Sequence, residues 1–425
     1  MNQHINFEGN EHRPLLGSNL DGSVPWSEDD RWWIRIPVRQ GLFLGRIGQR
    51  LIQSFKRDYT QALFIFVPIG LFADSLCVGD FWKFWLNCIA LFALQSTFIS
   101  TAESIWLFSS QTVANILTEL LPNVFPILVG VVCINESLIL IAKYFIIGVL
   151  INHLLVGPGC CFLVGGIHSE HRINFSAANT MSQLTLMISA PFIVLSALSF
   201  SASASRYVYY DYMHVFLAYA SAAMLLAFQL TWLIFKYKTH TYLFRPFTET
   251  EDGASSDRSA IFENVEMSLL SRAAYILWLA MVLILAIQCT DNLLTVGVSL
   301  YGNPFGGGVL LPLSISSPGI IKTYHLAKAG RMDTVIHLTV DTAIGLSFFT
   351  LPILVFVSTR AKTIISNSSI FMNVILFMAV FTVTRIIKDG TINYLKGCMC
   401  LALYLIIACS LYILPDSADD GGWVL

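Results

Sequence analysis

Two pairs of prolines interrupt long apolar stretches of the chain. Pro122 and Pro126 lie in LTELLPNVFPILVG, and Pro312 and Pro318 lie in LLPLSISSPGIIK. A proline removes a backbone donor and clashes with the preceding helical turn, so we expect each helix to open there. Opened backbone at membrane depth survives only where protein or a water-filled cavity covers it. Paired broken helices of this kind are typical of the substrate sites of secondary transporters.

Polar and charged side chains near these breaks form a candidate transport cavity. Charges inside a membrane are costly and usually face a cavity or a partner. Glu119, just before Pro122, is a candidate acid. Lys143 and Asp341 lie on the predicted helices that follow the two breaks, and they could form a fixed internal ion pair in place of a bound ion. The predicted cavity residues are Glu103, Asn123, Lys143, Asp291, Ser314, Ser316, Ser317 and Asp341.

The charges near predicted span ends have two interpretations. Glu103 and Asp291 precede the two proline-containing stretches by comparable distances, which suggests partners in an internal repeat. They also lie close enough to the span ends to face water. The sequence leaves both interpretations open.

The sequence contains no motif for a cofactor or a transition metal. Its nine cysteines form no CxxC pair and lie in or beside apolar runs, which is typical of core residues. No cluster has zinc-ligand spacing, and no GxxxxGK[ST] loop indicates an ATP-driven pump. A net charge of −2 gives no reason to expect nucleic acid as a partner. We therefore predict no cofactor and assign no metal ligands.

The composition is that of an all-α polytopic membrane protein. Hydrophobic residues make up 55% of the 425 residues and charged residues only 12%, against about 45–50% and about 25% in soluble domains. The apolar runs predict about eleven spans of roughly 20 residues each. Lys and Arg concentrate in alternate loops, on the same side as the N-terminus, which predicts a cytosolic N-terminus.

The long polar segment in the middle of the chain divides the predicted spans into two groups of five. Two related five-span units joined in series must point in opposite directions, so we predict an inverted repeat that follows one leading helix. The polar N-terminal segment contains a candidate acidic dileucine sorting signal at Glu11–Leu16. The predicted parts are a disordered cytosolic tail (1–57), a leading transmembrane helix (58–81), a first five-helix repeat (82–236), an acidic cytosolic loop (237–270), a second five-helix repeat (271–415) and a short C-terminal tail (416–425).

Several segments resemble the calcium/cation–proton antiporter (CAX) family of the fungal vacuolar type. They include GVLINHLLVGPGCCFLVGG, FQLTWLIFKYKTHTYLF and KDGTINYLKGCMCLALYLII. The resemblance covers nearly everything from Arg57 to Pro415, and it places Glu103 and Asp291 on two acids of the family. It implies an antiporter fold, calcium/proton exchange, and a multi-pass protein of the vacuole or another endomembrane.

The chain departs from this family at the ion site. In an ungapped alignment the family's first motif, Gly-Asn-Ala-Val-Glu, falls on Pro122 to Pro126. The second motif, Gly-Asn-Ala-Ala-Glu-His, falls on Ile315 to Ile320. Pro126 and Gly319 thus replace the two glutamates that hold the ion in the family. Glu119 and Asp341 could substitute for them, although Lys143 would repel a cation.

Three functions remain open from the sequence. The favoured one is a diverged cation/proton exchanger-like transporter whose calcium/proton exchange is lost or altered. The second is a membrane-embedded cyclase or isomerase for a lipophilic, isoprenoid-derived substrate, with Glu119 or Asp341 as general acid. The third is a non-transporting regulatory homologue. The predicted partners are the membrane and either a cation or a lipophilic small molecule.

Overall fold

The computed structural model describes most of the hydrophobic part of the chain. All described residues belong to one compact unit, Asp58–Leu425. The predicted N-terminal tail with its Glu11–Leu16 signal, most of the acidic loop and the C-terminal tail lie outside the described residues. The described residues are 63–73, 79–106, 111–167, 171–172, 175–194, 197, 209–244, 269–301, 303–358 and 370–414.

The described residues are almost entirely helical. Two strands of two residues each, β1 (His171–Arg172) and β2 (Thr391–Ile392), pair antiparallel and join two loops. The main α-helices are α1 (Phe66–Leu71), α2 (Asp80–Trp106), α3 (Gln111–Leu120), α4 (Val124–Asn135), α5 (Ile139–Ile151), α6 (Gly157–Gly165), α7 (Phe175–Met187), α8 (Tyr209–Ile234), α9 (Leu269–Tyr301), α10 (Leu311–Lys328), α11 (Met332–Gly345), α12 (Leu351–Val357), α13 (Ile370–Lys388) and α14 (Tyr394–Ile413).

Eight helical stretches in the described part of the chain are long and apolar enough to cross a membrane. The prediction of an all-α polytopic membrane protein is therefore confirmed, while the count of eleven spans and the repeat layout stay predictions. The eight stretches are Asp80–Ala102, Thr112–Asn135, Ile139–Gly165, Phe216–Thr239, Ala273–Gly297, Met332–Val357, Phe371–Lys388 and Tyr394–Ile413.

Two of these stretches share a plan in which a π-helical turn precedes a proline. The turn Asn152–Val156 connects α5 to α6, and Pro158 occupies the first turn of α6. The turn Leu346–Thr350 connects α11 to α12 in the same way, with Pro352 in the first turn of α12. A proline removes one backbone donor, and a local π register is one way in which a membrane helix accommodates that loss.

The proline-containing stretches do not open as predicted. At Pro122 the chain tightens into the 3₁₀ turn Leu121–Asn123 and continues directly into α4. At Pro318 the prediction is wrong, because α10 runs without interruption from Leu311 to Lys328. The Ser317 hydroxyl donates to the Ser314 carbonyl at 2.9 Å. That carbonyl is the acceptor that an amide at position 318 would have used, so a side chain replaces the missing donor.

The two halves of the chain touch backbone to backbone where α5 crosses the π turn Gly306–Leu310. A Cβ atom at Gly148 would collide with the Gly308 carbonyl oxygen and would lie 2.7 Å from Pro312 Cγ. Small residues permit this close approach, which is a usual source of helix association in membranes. The glycine at 148 is therefore a packing requirement.

We expect Gly148→Ala to destabilise the protein, because the added methyl group meets backbone that cannot move aside. Overpacking of this kind costs about 1–3 kcal/mol. The measurement is the thermal unfolding midpoint of the protein purified in detergent. Gly79→Ala is the matched control, since a Cβ there meets nothing within 4 Å. Equal midpoints for the two variants would show that the crossing tolerates a side chain.

Candidate ion site

A lysine at the end of a membrane-spanning helix is buried among aromatic and apolar residues. Lys236 follows α8 in the π turn Phe235–Thr239, and only 8% of it is exposed. Its neighbours Trp232 and Leu233 are also buried. A π turn shifts the direction in which side chains leave a helix and is frequent at functional sites. Lys236 is thereby directed inward, while the next lysine, Lys238, is exposed.

Two buried carboxylates from distant parts of the chain bind the Lys236 ammonium. The Nζ atom lies 2.7 Å from Glu119 Oε2, at the end of α3. It also donates to Asp341 Oδ2, in the middle of α11. The Tyr237 hydroxyl donates to the same Glu119 oxygen at 2.6 Å. We call Glu119, Lys236, Tyr237 and Asp341 the Lys236 cluster.

Each charge in the Lys236 cluster needs the others. Removing a charge from water costs several kcal/mol, and only close partners with good hydrogen bonds offset that cost. Two of the three ammonium donors bind the carboxylates. The Tyr237 ring centroid lies 5.0 Å from Nζ and the Trp232 centroid 6.0 Å, within cation–π range. The cluster therefore ties three separate helices together.

The Lys236 cluster keeps unused acceptors and an excess of negative charge. Glu119 is 8% exposed and Asp341 5% exposed. The second oxygen of each, Glu119 Oε1 and Asp341 Oδ1, is buried and has no hydrogen-bond partner among the described residues. Two carboxylates against one ammonium leave one formal negative charge.

The predicted ion pair between Lys143 and Asp341 is corrected by this geometry. Asp341 binds Lys236, whereas Lys143 is half-buried on α5. The sequence did not predict Lys236 as this partner, because Lys236 stands at the end of a long apolar run and resembles the first residue of a cytosolic loop. One signal could have identified Lys236 as a buried charge. The stretch Phe216–Thr239 is long and apolar enough to cross a membrane, and Lys236 lies inside it. Tyr237 gave no sequence signal.

The residues aligned with the family's two ion motifs form a neutral interior. Asn123 is fully buried, and its Nδ2 donates to the Glu119 carbonyl at 3.4 Å. Ser316 is 1% exposed. Asn123 Oδ1 and Ser316 Oγ have no hydrogen-bond partner among the described residues. Both positions therefore offer neutral oxygen atoms without a carboxylate.

The other serines of this stretch bond within their own helix. Ser314 Oγ donates to the Leu311 carbonyl at 2.8 Å, and Ser317 donates to the Ser314 carbonyl. Their hydroxyl donors therefore serve α10 itself, beside Pro312 and Pro318.

The two remaining predicted cavity acids lie outside the Lys236 cluster. Glu103 belongs to the last part of α2, and its side chain is not among the described ones. Asp291 is exposed on α9, in an open pocket of about 270 Å³ that it shares with Leu71, Phe72, Gln288 and Asn292. In the described residues no group of three or more His, Cys, Asp and Glu side chains could hold a metal ion.

The fold is that of a multi-pass membrane protein, and it resembles solved structures of Ca²⁺/H⁺ antiporters. The structure of native YfkE matches with a TM-score of 0.63 at 17% identity, over 83% of this chain and 99% of that one. The H⁺/Ca²⁺ exchanger CAX matches with a TM-score of 0.57 at 10% identity, over 83% and 91% of the two chains. At these identities the likeness concerns the fold.

Sequence comparison gives relatives over nearly the whole chain. The chain is 25% identical to the vacuolar calcium ion transporter of Schizosaccharomyces pombe over 418 residues, 96% of this chain and 94% of that protein. It is 23% identical to vacuolar cation/proton exchanger 2 of Oryza sativa subsp. japonica over 398 residues, 90% and 89% of the two. No family model matches the chain. The predicted resemblance to vacuolar calcium/cation–proton exchangers is confirmed, as is a multi-pass protein of the vacuole or another endomembrane.

We expect Lys236→Met to destabilise the protein strongly, because it leaves two buried carboxylates facing each other without a cation. Removing one partner of a buried ion pair costs about 3–5 kcal/mol. The measurement is folded yield and thermal midpoint by size-exclusion chromatography after heating.

Lys238→Met is the matched control for this change. Lys238 is exposed in the same π turn, and surface substitutions usually stay within about 0.5 kcal/mol. Comparable losses in the two variants would show that the Lys236 cluster contributes nothing specific to stability.

Proposed function

We propose that this protein is a cation/proton exchanger-like transporter that does not exchange calcium for protons by the family's two-glutamate mechanism. Similarity to vacuolar cation/proton exchangers along almost the whole chain supports a transporter of this type. The specific loss of calcium exchange is inferred from the site.

One observation carries this proposal: the buried carboxylates of the described interior already hold a cation that belongs to the protein. Glu119 and Asp341 are the buried acids among the described residues, and Lys236 binds both. The two halves of the chain thus contribute one acid each to an ammonium group. A tethered cation cannot be transported.

Calcium requires more negative charge than this interior supplies. A dehydrated Ca²⁺ ion takes about six to eight oxygen ligands, and carboxylates offset its charge. At the aligned positions of the family's glutamates stand Pro126 and Gly319, next to neutral Asn123 and Ser316. Hydroxyl and amide oxygens do not exchange protons near neutral pH, so they provide no proton coupling.

The two alternative functions gain no support from the comparisons. The relatives are named as transporters and exchangers, and none of the names given above denotes an enzyme. No observation favours a regulatory homologue.

The test is calcium transport by the full-length protein in two settings. In a calcium-sensitive strain that lacks its own vacuolar exchanger, we expect correct localisation without rescue. In proteoliposomes that are acidic inside, we expect calcium uptake at the background rate. The vacuolar calcium ion transporter of Schizosaccharomyces pombe, reconstituted in the same way, is the positive control.

Calcium uptake driven by the pH gradient, at a rate near that of the positive control, would overturn this proposal. Rescue of the strain at ordinary expression would do the same. Either result would mean that the interior provides carboxylate ligands to calcium despite Lys236.

A further inference from the structure

The Lys236 cluster has the properties of a ligand site as well as those of a structural tie. We propose that it binds one small monovalent cation of the alkali-metal type at the open oxygens of Glu119 and Asp341, beside the Lys236 ammonium. This inference rests on the proposed exchanger-like function, because it names the class of ion that replaces calcium.

The first argument is the pair of buried oxygen atoms without partners. Buried carboxylate oxygens nearly always have a hydrogen-bond partner, since an unsatisfied one keeps its full desolvation cost. Glu119 Oε1 and Asp341 Oδ1 have none among the described residues, although the other oxygen of each binds Lys236. Both carboxylates contact the same ammonium, so each open oxygen belongs to a carboxyl group that touches Lys236. Oxygen atoms with a negative charge are the ligands that hard cations prefer.

The second argument is the charge of the cluster, which sets the charge of the ligand. With both carboxyl groups ionised, the two carboxylates and one ammonium carry one formal negative charge, so a single positive charge neutralises the group. A divalent ion would leave an excess positive charge in an apolar region, next to an ammonium that repels it. A monovalent cation matches the cluster.

The third argument is the place of the cluster between moving parts. Glu119 lies on α3 and Asp341 on α11, in the predicted first and second repeats, and Lys236 ends α8. Alternating access in secondary transporters is largely movement of one repeat against the other. An ion that enters this cluster competes with Lys236 for the carboxylates. It therefore changes the ion pairs that connect the two predicted repeats.

Several titratable groups surround the proposed cation position. They are the Glu119 and Asp341 carboxylates, the Lys236 ammonium, the Tyr237 hydroxyl and the His337 imidazole. His337 lies one turn before Asp341 on α11 and interacts electrostatically with Lys236.

The test measures binding and exchange separately on the full-length protein. The binding readout is the thermal midpoint in detergent with NaCl, KCl, CaCl₂ or choline chloride at equal ionic strength. We expect saturating Na⁺ or K⁺ to raise the midpoint by roughly 2–4 °C above choline, and Ca²⁺ not to do so. The exchange readout is dissipation of a pH gradient in proteoliposomes by the same salts.

Glu119→Gln and Asp341→Asn each remove the excess charge but leave Lys236 one carboxylate partner. We expect each to weaken the apparent affinity for the alkali cation by roughly tenfold or more. Glu136→Gln is the matched control, since Glu136 is an exposed residue beyond the end of α4. It should bind and exchange like the unchanged protein.

The outcomes separate this inference from the proposed function. Midpoints in Na⁺ and K⁺ equal to those in choline would overturn the cation site. Alkali-cation exchange that Glu119→Gln and Asp341→Asn leave as fast as Glu136→Gln would also overturn it, while the exchanger-like function would stand. Calcium exchange in the unchanged protein would refute the proposed function itself.

Discussion

The Lys236 ammonium held between Glu119 and Asp341 is the interaction on which the rest of the site depends. Neither the lysine nor the acids could remain charged at this depth alone, because desolvation of a lone ion exceeds what the surrounding apolar residues return. The three groups come from α3, α8 and α11, and the contacts join residues 117 and 105 positions apart in sequence. A substitution of any one of these three residues therefore also affects the helices that carry the other two.

In this chain the buried charges stand beside the positions that align with the family's ion motifs and not at those positions. The positions aligned with the family's ion motifs are neutral here and are occupied by groups such as Asn123 and Ser316. The buried charges lie instead at the junction of α3, α8 and α11. A lysine in such a site supplies a permanent positive charge, so the number of charges that the interior can still accept falls.

The scaffold around the site accommodates its prolines by local adjustments of the backbone. The π turns before Pro158 and Pro352 and the 3₁₀ turn at Pro122 keep each helix continuous where an amide donor is lacking. Around Gly148 the helices approach until backbone meets backbone, which fixes the spacing of the two halves. Because lipid tails are as apolar as the helix surfaces, the hydrophobic effect does not drive helices together in a membrane. Close packing and buried polar contacts hold such bundles together instead. In this protein the Gly148 crossing is a close-packed contact of this kind, and the Lys236 cluster is a buried polar contact.

The sequence by itself determined the membrane-spanning all-α class, the family resemblance and the candidate acids Glu119 and Asp341. Apolar run length and charge distribution depend on local composition, which any single chain displays. Only the tertiary structure decided that Lys236 binds Asp341, because a pairing across more than a hundred residues depends on how helices pack. The continuity of α10 through Pro318 was likewise decided by geometry, since the Ser317 hydroxyl had to point at the one carbonyl that lacked a donor. Residue types predict which groups are costly to bury, and the packing of the helices determines which partner offsets that cost.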